Sequence, residues 1–359
     1  MKILLYGEPL NPGTGSWCYY ETLREMGHEV VHCSSWEGLG RYTDKLAWRL
    51  WWRATRRVFE SHRLVHVRRL LREAAHHRPD IVLVLKGLHV GPREVRALKR
   101  DGAWVAIINH DDFFSLNPAN VSAVQRAALP EWDFVFATRE ANVAEVRPSN
   151  PNVEFFRFAY YPRIHRPVAV DPATEPQWVS DVVFVGTWEK ERAALMEQLV
   201  RRVDADVAVW GSQWHKLAPW SPLRRHVRGT EIYLDDQCRA IGAAKISLGF
   251  LRKKNRDFYT VRTFEIPACN GVLLGERTDV HRSIYREGVE AEFFDASRPE
   301  DLAEAVRRLL ADDDHREGLR RAGREAVGRG RHTYRDRLDR LLEVYRQQRG
   351  APSVEGARA

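Results

Sequence analysis

Cysteine is scarce in this chain: 359 residues contain four, and no two of them form a C-x-x-C pair. Four scattered thiols cannot build the disulfide framework of a small secreted domain, and a zinc site of the paired-cysteine type is excluded. We therefore expect reduced thiols.

Long apolar runs are also missing. No stretch of about 18 uncharged apolar residues, the length needed to cross a bilayer, occurs in the sequence. The apolar run at 1–6 turns polar too soon to be the core of a signal peptide. We therefore expect a cytoplasmic protein.

No charge dominates the composition. Lys and Arg number 57 against 49 Asp and Glu, a net charge of +8. The excess of positive charge is compatible with an anionic partner, but it does not distinguish nucleotide phosphates from anionic lipid or nucleic acid. The length indicates two domains, each able to bury its own core.

Short apolar runs alternate with helical patterns along most of the chain, which is typical of an α/β fold with doubly wound parallel sheets. The predicted strands are 3–6, 27–33, 79–85, 104–111, 134–137, 181–186, 207–211, 244–250, 271–274 and 292–295. The two series predict two Rossmann-like domains.

A proline-rich stretch, 148–176, separates the two series and is predicted to be an interdomain linker. The expected domains are 1–165 and 166–334. A last helix, 335–348, could pack back on the first domain, and 349–359 is expected to be a disordered tail.

Ligands bind beyond the carboxyl ends of parallel strands, where helix N-termini offer unpaired N–H groups. The first such loop holds Gly13 and Gly15, which allow close approach of the backbone to a ligand. It lacks the Walker lysine spacing and a complete G-x-G-x-x-G. A plain turn is an equally good interpretation.

The most informative stretch is 257–271. Thr260 can cap a helix whose first N–H groups would face a diphosphate, with Arg262 adding charge. Glu265, one and a half turns on, could accept both ribose hydroxyls in an open cleft. The alternative is a surface helix with a charged face.

The run 262–271, followed by Leu273, Leu274 and Glu276, resembles the donor-site signature of CgeB-like (spore-maturation-protein-like) glycosyltransferases. These are similar to the larger family-4 retaining glycosyltransferases of GT-B fold. The resemblance covers most of 180–345. Asp257 and Glu265 flank seven residues, as two acidic residues do in the larger family, although its first position is usually Glu.

The resemblance implies two Rossmann-like domains facing a cleft, with a nucleotide-diphosphate sugar held by the second. The acceptor, a glycan, lipid, protein or small molecule, would lie in the first. It implies transfer with retention, no metal and no cofactor. Glu265 would bind ribose, and the diphosphate cradle would be Tyr259, Thr260, Val261 and Arg262.

The resemblance also gives roles to two further loops of the second domain. Arg192, with its neighbour Lys190, would lie against the leaving phosphates in the loop that begins at Gly186. Trp210 and Gly211 would line the base pocket, although a core tryptophan fits equally well.

His110 and Asp111 end a predicted strand of the first domain. His110 could bond a sugar hydroxyl and Asp111 could orient the acceptor, whereas a satisfied histidine and a capping aspartate are the alternative. No D-x-D triplet occurs there, and the side chains of Asp111 and Asp112 diverge, so we expect no metal. Arginine, lysine and a helix dipole would stabilise the departing diphosphate instead.

The segment 41–73 is the most basic of the chain, with Trp48, Trp51 and Trp52 among its arginines. It could contact an anionic membrane or an acidic acceptor, or simply pack as a helix with a basic outer face. Tryptophans placed among basic residues could also stack on nucleic-acid bases, but no nucleic-acid motif is present.

For the protein as a whole, a non-catalytic nucleotide-sugar-binding protein is the remaining alternative to an enzyme.

Overall fold

The computed structural model describes residues 1–35, 58–115 and 120–350. The part of the basic segment that contains Trp48, Trp51 and Trp52, 41–57, and residues 351–359 of the predicted tail therefore lie outside the described residues. Arg349, where the disordered tail was expected to begin, instead ends the last helix. The chain divides into two compact units. Unit 1 comprises 1–157, 253–256 and the residues from 334 onward, and unit 2 comprises 158–252 and 257–333.

Unit 1 is built on a six-stranded parallel sheet with the order β2-β1-β3-β4-β5-β6. Its strands are β1 (Lys2–Gly7), β2 (Glu29–Ser34), β3 (Ile81–Leu85), β4 (Trp104–Asn109), β5 (Phe134–Ala137) and β6 (Val153–Phe155). Its first helices are α1 (Gly15–Glu25), α2 (Val58–His77), α3 (Pro92–Lys99), α4 (Ala123–Ala127) and α5 (Glu140–Val146). β3 and β4 are buried along their whole length, as expected for strands covered on both faces.

Unit 2 contains the second six-stranded parallel sheet, with the order β12-β11-β10-β7-β8-β9. Its strands are β7 (Ser180–Val185), β8 (Val207–Trp210), β9 (Val227–Gly229), β10 (Ala244–Gly249), β11 (Leu273–Glu276) and β12 (Glu292–Phe294). Its helices are α6 (Lys190–Arg202), α7 (Leu234–Ala243), α8 (Arg262–Ala268), α9 (Asp279–Ile284), α10 (Pro299–Ala311) and α11 (Asp313–Arg329). The core packs α6 and α10 on one face of the sheet.

The last helix, α12 (Tyr334–Arg349), belongs to unit 1. Arg340 donates to both carboxylate oxygens of Glu154 at 3.0 and 2.7 Å, and the indole of Trp104 donates to Gln348 at 2.6 Å. These bonds fasten α12 to strands β6 and β4. None of the described helices is long and apolar enough to span a bilayer.

Two parallel sheets with interleaved helices confirm the predicted α/β class with two Rossmann-like domains. The strands β6 and β9 were not predicted. Each has three residues and lies at the edge of its sheet, and β6 falls inside the stretch that was predicted to be a linker. The contacts divide the chain after Arg157, so residues 158–165 lie in unit 2.

The strand order reverses direction at one point in each sheet, between β1 and β3 in unit 1 and between β7 and β10 in unit 2. In open parallel sheets, ligands bind in the crevice that such a reversal leaves beyond the carboxyl ends of the strands. The residues following β1, β3, β7 and β10 are therefore the places to look for a site.

Candidate functional site

Arg262, the first residue of α8, lies against the carboxyl end of β7. Its Nε donates to the carbonyl oxygen of Val185 at 3.1 Å, and one Nη donates to the carboxylate of Glu265. Arg262 is only partly buried. The predicted cation is therefore held at the strand reversal of unit 2, with part of its surface exposed.

Glu265 is nearly buried, with 10% of its side chain exposed, so the open setting expected for it is wrong. Gln237 donates to its Oε2 at 3.3 Å, and the Nε2 of His165 lies 3.3 Å from its Oε1. Burial alone would raise the pKa of Glu265. The charge of Arg262, the neighbouring His165 and the hydrogen bonds from Arg262 and Gln237 outweigh burial and hold this pKa below its usual value. The carboxylate is therefore ionised.

The residues before α8 differ from the predicted diphosphate cradle in two details. The helix begins at Arg262 with Val261 in the cap position, and Thr260 contributes by accepting the N–H of Arg262 at 3.2 Å. The side chain of Tyr259 is buried, and its hydroxyl accepts the N–H of Phe158 at 3.1 Å. Tyr259 therefore supports the loop from the core rather than facing a phosphate.

The loop itself is held by hydrogen bonds that are partly or fully buried. The N–H of Thr260 donates to the hydroxyl of Thr263 at 3.2 Å, and that hydroxyl bonds the Nε2 of His281 at 2.9 Å. Asp257 donates its backbone N–H to the carbonyl of Arg252 at 3.2 Å. Sequence reasoning missed the part played by Thr263 and His281.

Arg192 is buried in the first turn of α6. Its Nη1 donates to the carbonyl of Thr187 at 3.2 Å and lies 3.7 Å from Glu189, while its Nε is buried without a hydrogen-bond partner among the described residues. Burial is the main cause that lowers its pKa, and the charge of Asp257 is among those that oppose the shift. Lys190, the other residue predicted to contact the phosphates, is exposed, whereas Arg192 is buried.

The loops after β7 and β8 touch at Gly186 and Gly211. A Cβ on Gly211, whose φ is +150°, would lie 1.9 Å from the carbonyl oxygen of Gly186, which also accepts the indole N–H of Trp214 at 2.9 Å. Only glycine permits this approach. The ring of Trp210 packs on Trp178 with 5.1 Å between centroids, which favours the core interpretation of this tryptophan.

Unit 1 has a cavity of about 280 Å³ at its own strand reversal. Gly15, His110 and Asp111 line it, and so do Glu8, Ser16 and Lys86, which sequence reasoning did not select. Gly13 forms the turn before α1, with φ of +88°. It is not among the residues found to line the cavity.

Three of the residues that line the cavity have partners within unit 1. The ammonium of Lys86 lies 2.6 Å from the carboxylate of Asp111. The Nε2 of His110 is hydrogen-bonded to the hydroxyl of Tyr19 at 3.2 Å. Burial lowers the pKa of His110 to about 4, so the imidazole is neutral at pH 7.

Asp112 is fully buried and structural. Arg256 donates to both of its carboxylate oxygens, at 2.5 and 2.7 Å, and Asn142 donates at 2.8 Å. Within the described ranges no group of three His, Cys, Asp or Glu residues is arranged to hold a metal ion.

Comparison with known proteins bears on both units. Residues 191–343 match the model of a family described as glycosyl transferase-like. No curated protein matches the chain significantly.

Similar solved structures span almost the whole chain. Anabaena HepE in complex with UDP and glucose is 12% identical, covers 97% of this chain and 100% of its own, and has a TM-score of 0.68. Sucrose-phosphate synthase from Thermosynechococcus elongatus is 14% identical, with coverages of 98% and 100% and a TM-score of 0.70. A Listeria monocytogenes protein, provisionally assigned as a UDP-N-acetylglucosamine 2-epimerase, is 11% identical, with coverages of 97% and 96% and a TM-score of 0.57. The chain therefore has a GT-B-type fold, and its residues 191–343 are similar to a family described as glycosyl transferase-like.

Proposed function

We propose that this protein is a glycosyltransferase that moves a sugar from a nucleotide-diphosphate sugar to a hydroxyl-bearing acceptor. One observation carries the proposal: the glycosyl transferase-like match includes Arg262, and its guanidinium lies at the strand reversal of unit 2. The complexes of HepE with UDP and with UDP-glucose favour a uridine nucleotide as the first donor to test.

The proposed chemistry is stabilisation of the leaving diphosphate. As the glycosidic bond breaks, negative charge develops on the phosphate oxygens, and a preorganised cation lowers the energy of that state. The partly buried Arg262 supplies this cation, the exposed Lys190 is a second one, and Glu265 binds the ribose. Retention and metal independence are proposed from the resemblance, as is membership of the CgeB-like group.

We assign the acceptor to the cavity of unit 1. Carboxylate oxygens, hydroxyls and a neutral imidazole line it, and these groups bind sugar hydroxyls well. Its volume suits a small substrate or the end of a larger one. Contact between the segment 41–73 and an anionic membrane stays a prediction.

The test is a donor and acceptor screen followed by product analysis. Binding of UDP, GDP and ADP is measured first, by thermal shift, since a ligand at a hundred times its Kd stabilises by about 2.7 kcal/mol. The matching nucleotide sugars are then incubated with sugar, lipid and peptide acceptors, and products are identified by mass spectrometry. A glycosylated acceptor with release of the nucleoside diphosphate supports the proposal.

Three other outcomes would contradict it. Affinity without turnover would indicate a non-catalytic nucleotide-sugar-binding protein. An epimerised sugar without transfer would indicate epimerase chemistry, the activity named for the Listeria monocytogenes protein of similar fold. Salt-dependent duplex binding that is lost when Arg53, Arg56 and Arg57 are neutralised would indicate a nucleic-acid-directed protein.

A further inference from the structure

His165 is the one histidine within reach of Glu265 in the described part of the chain. It lies in the proline-rich stretch that was predicted to be a linker, and only 5% of its side chain is exposed. Its Nε2 is 3.3 Å from the Oε1 of Glu265. The other carboxylate oxygen, Oε2, receives Arg262 and Gln237. Among the described residues, His165 is therefore the partner of Oε1, the carboxylate oxygen that Arg262 and Gln237 do not contact.

The backbone decides which nitrogen of His165 carries the proton. The N–H of Tyr161 donates to Nδ1 at 3.0 Å, so Nδ1 must be the unprotonated acceptor. The single ring proton of the neutral imidazole then lies on Nε2, the nitrogen that is 3.3 Å from the Oε1 of Glu265. Burial lowers the pKa of His165, which keeps the ring in this neutral form.

We infer that His165 is a positioning residue for ribose recognition, because its Nε2–H fixes the orientation of the Glu265 carboxylate from the Oε1 side. This inference rests on the proposed function, in which Glu265 binds the ribose of the donor. With three groups around it, the carboxylate is held before the nucleotide arrives, so no binding energy is used to order it. Without His165, Oε1 has no hydrogen-bond or ion-pair partner among the described residues, so less holds the carboxylate against rotation about its last bond.

The test combines changes in the protein with changes in the ligand. Binding of UDP and of 2′,3′-dideoxy-UDP is measured by calorimetry for the unmodified protein, His165→Leu, His165→Gln and Glu265→Gln. We expect the unmodified protein to prefer UDP, and His165→Leu to lose about tenfold in UDP affinity, the scale of one hydrogen bond to a charged group. Its affinity for the dideoxy compound should be unchanged. Glu265→Gln should also reduce the preference for UDP over the dideoxy compound.

His165→Gln is the rescue variant, because an amide can both accept from Tyr161 and donate to Glu265. It should keep most of the preference for UDP. His226→Leu is the matched control: this histidine bonds the carbonyl of Val207 at 3.1 Å, at the amino end of β8, away from the carboxyl ends of the strands. It should leave both affinities unchanged.

The inference is overturned if His165→Leu weakens UDP and the dideoxy compound equally, or if His165→Gln is no better than His165→Leu. If His165→Leu does not fold, the glutamine variant alone decides, since a loss of preference there contradicts the inference. An unmodified protein that binds both compounds equally would refute the ribose role of Glu265. An unmodified protein that binds neither would count against the proposed uridine donor itself.

Discussion

The Nε of Arg262 donates to the carbonyl oxygen of Val185 at 3.1 Å. Val185 is the last residue of β7, and β7 lies next to β10 at the strand reversal of unit 2. One hydrogen bond therefore ties the start of α8 to the carboxyl ends of the strands, where ligands of open parallel sheets bind. The same guanidinium also holds Glu265, so the charge proposed for the diphosphate and the carboxylate proposed for the ribose are positioned together.

Replacing Arg262 with lysine should weaken nucleotide binding although the charge is kept. A lysine ammonium lacks the planar fork that lets Arg262 donate to Val185 and Glu265 at once. We expect UDP affinity to fall about tenfold or more, measured by calorimetry. Arg282→Lys, on the exposed side of α9, is the matched control and should have no effect. Equal affinity for both variants would contradict the phosphate role of Arg262.

Removing Glu265 should cost stability as well as affinity. Glu265→Ala leaves one Nη of Arg262 and the side-chain amide of Gln237 without their acceptor in a nearly buried setting, which typically costs about 3 kcal/mol or more. The free energy of unfolding, measured with denaturant, should therefore fall, whereas Glu317→Ala at an exposed position should change little. An unchanged stability would mean that the buried network does not form. Because the pKa of Glu265 is lowered, its contribution is present above its usual pKa and is lost as the pH falls.

Asp111→Asn should affect the acceptor and spare the donor. The change removes the charge that pairs with Lys86 at 2.6 Å in the cavity of unit 1, while the groups that hold Arg262 and Glu265 belong to unit 2. We expect the KM for the acceptor to rise several-fold with the Kd for UDP unchanged. Asp101→Asn, at an exposed turn, should change neither value. A parallel loss of donor binding would refute the assignment of the cavity to the acceptor.

The pKa of His110 predicts a dependence of stability on pH. Burial lowers this pKa from 6.5 to about 4, so between these values the unfolded chain binds a proton that the folded chain does not. The contribution of His110 to stability is therefore complete above pH 6.5 and is lost as the pH falls toward 4. His110→Gln should reduce the loss between pH 7.5 and pH 5 by roughly 1 to 2 kcal/mol, measured by urea unfolding. An identical loss in both proteins would show that folding does not lower the pKa of His110.

Turnover should not need a divalent metal. Arg262 and Lys190 supply positive charge at the proposed phosphate site, and a preorganised cation can replace a metal in stabilising a leaving diphosphate. Transfer measured after treatment with EDTA should equal transfer in untreated protein. Activity that disappears with EDTA and returns with magnesium or manganese would point to Asp111 or Asp257 as a ligand.

The sequence alone predicts the architecture because burial leaves a local pattern. A parallel strand covered on both faces reads as a continuous apolar run, so β3, β4 and β7 are evident without a structure. The edge strands β6 and β9 are not, because Glu154 and Arg228 interrupt their apolar runs, and they are strands only through pairing with β5 and β8. The equally short β12 was predicted because it keeps two adjacent phenylalanines.

The donor segment 257–271 was also visible in the sequence, since its cation, carboxylate and hydroxyls lie within a few residues of one another. The residues that surround this segment in the folded protein could not be identified from the sequence. The partners of Glu265 are Gln237 and His165, which are 28 and 100 residues away in sequence, and only the packing of unit 2 brings them to the same carboxylate. The cavity of unit 1 likewise joins the ends of β1, β3 and β4. Local composition therefore determined which elements form, whereas the strand order decided which side chains meet, because parallel strands place residues distant in sequence at one edge of a sheet.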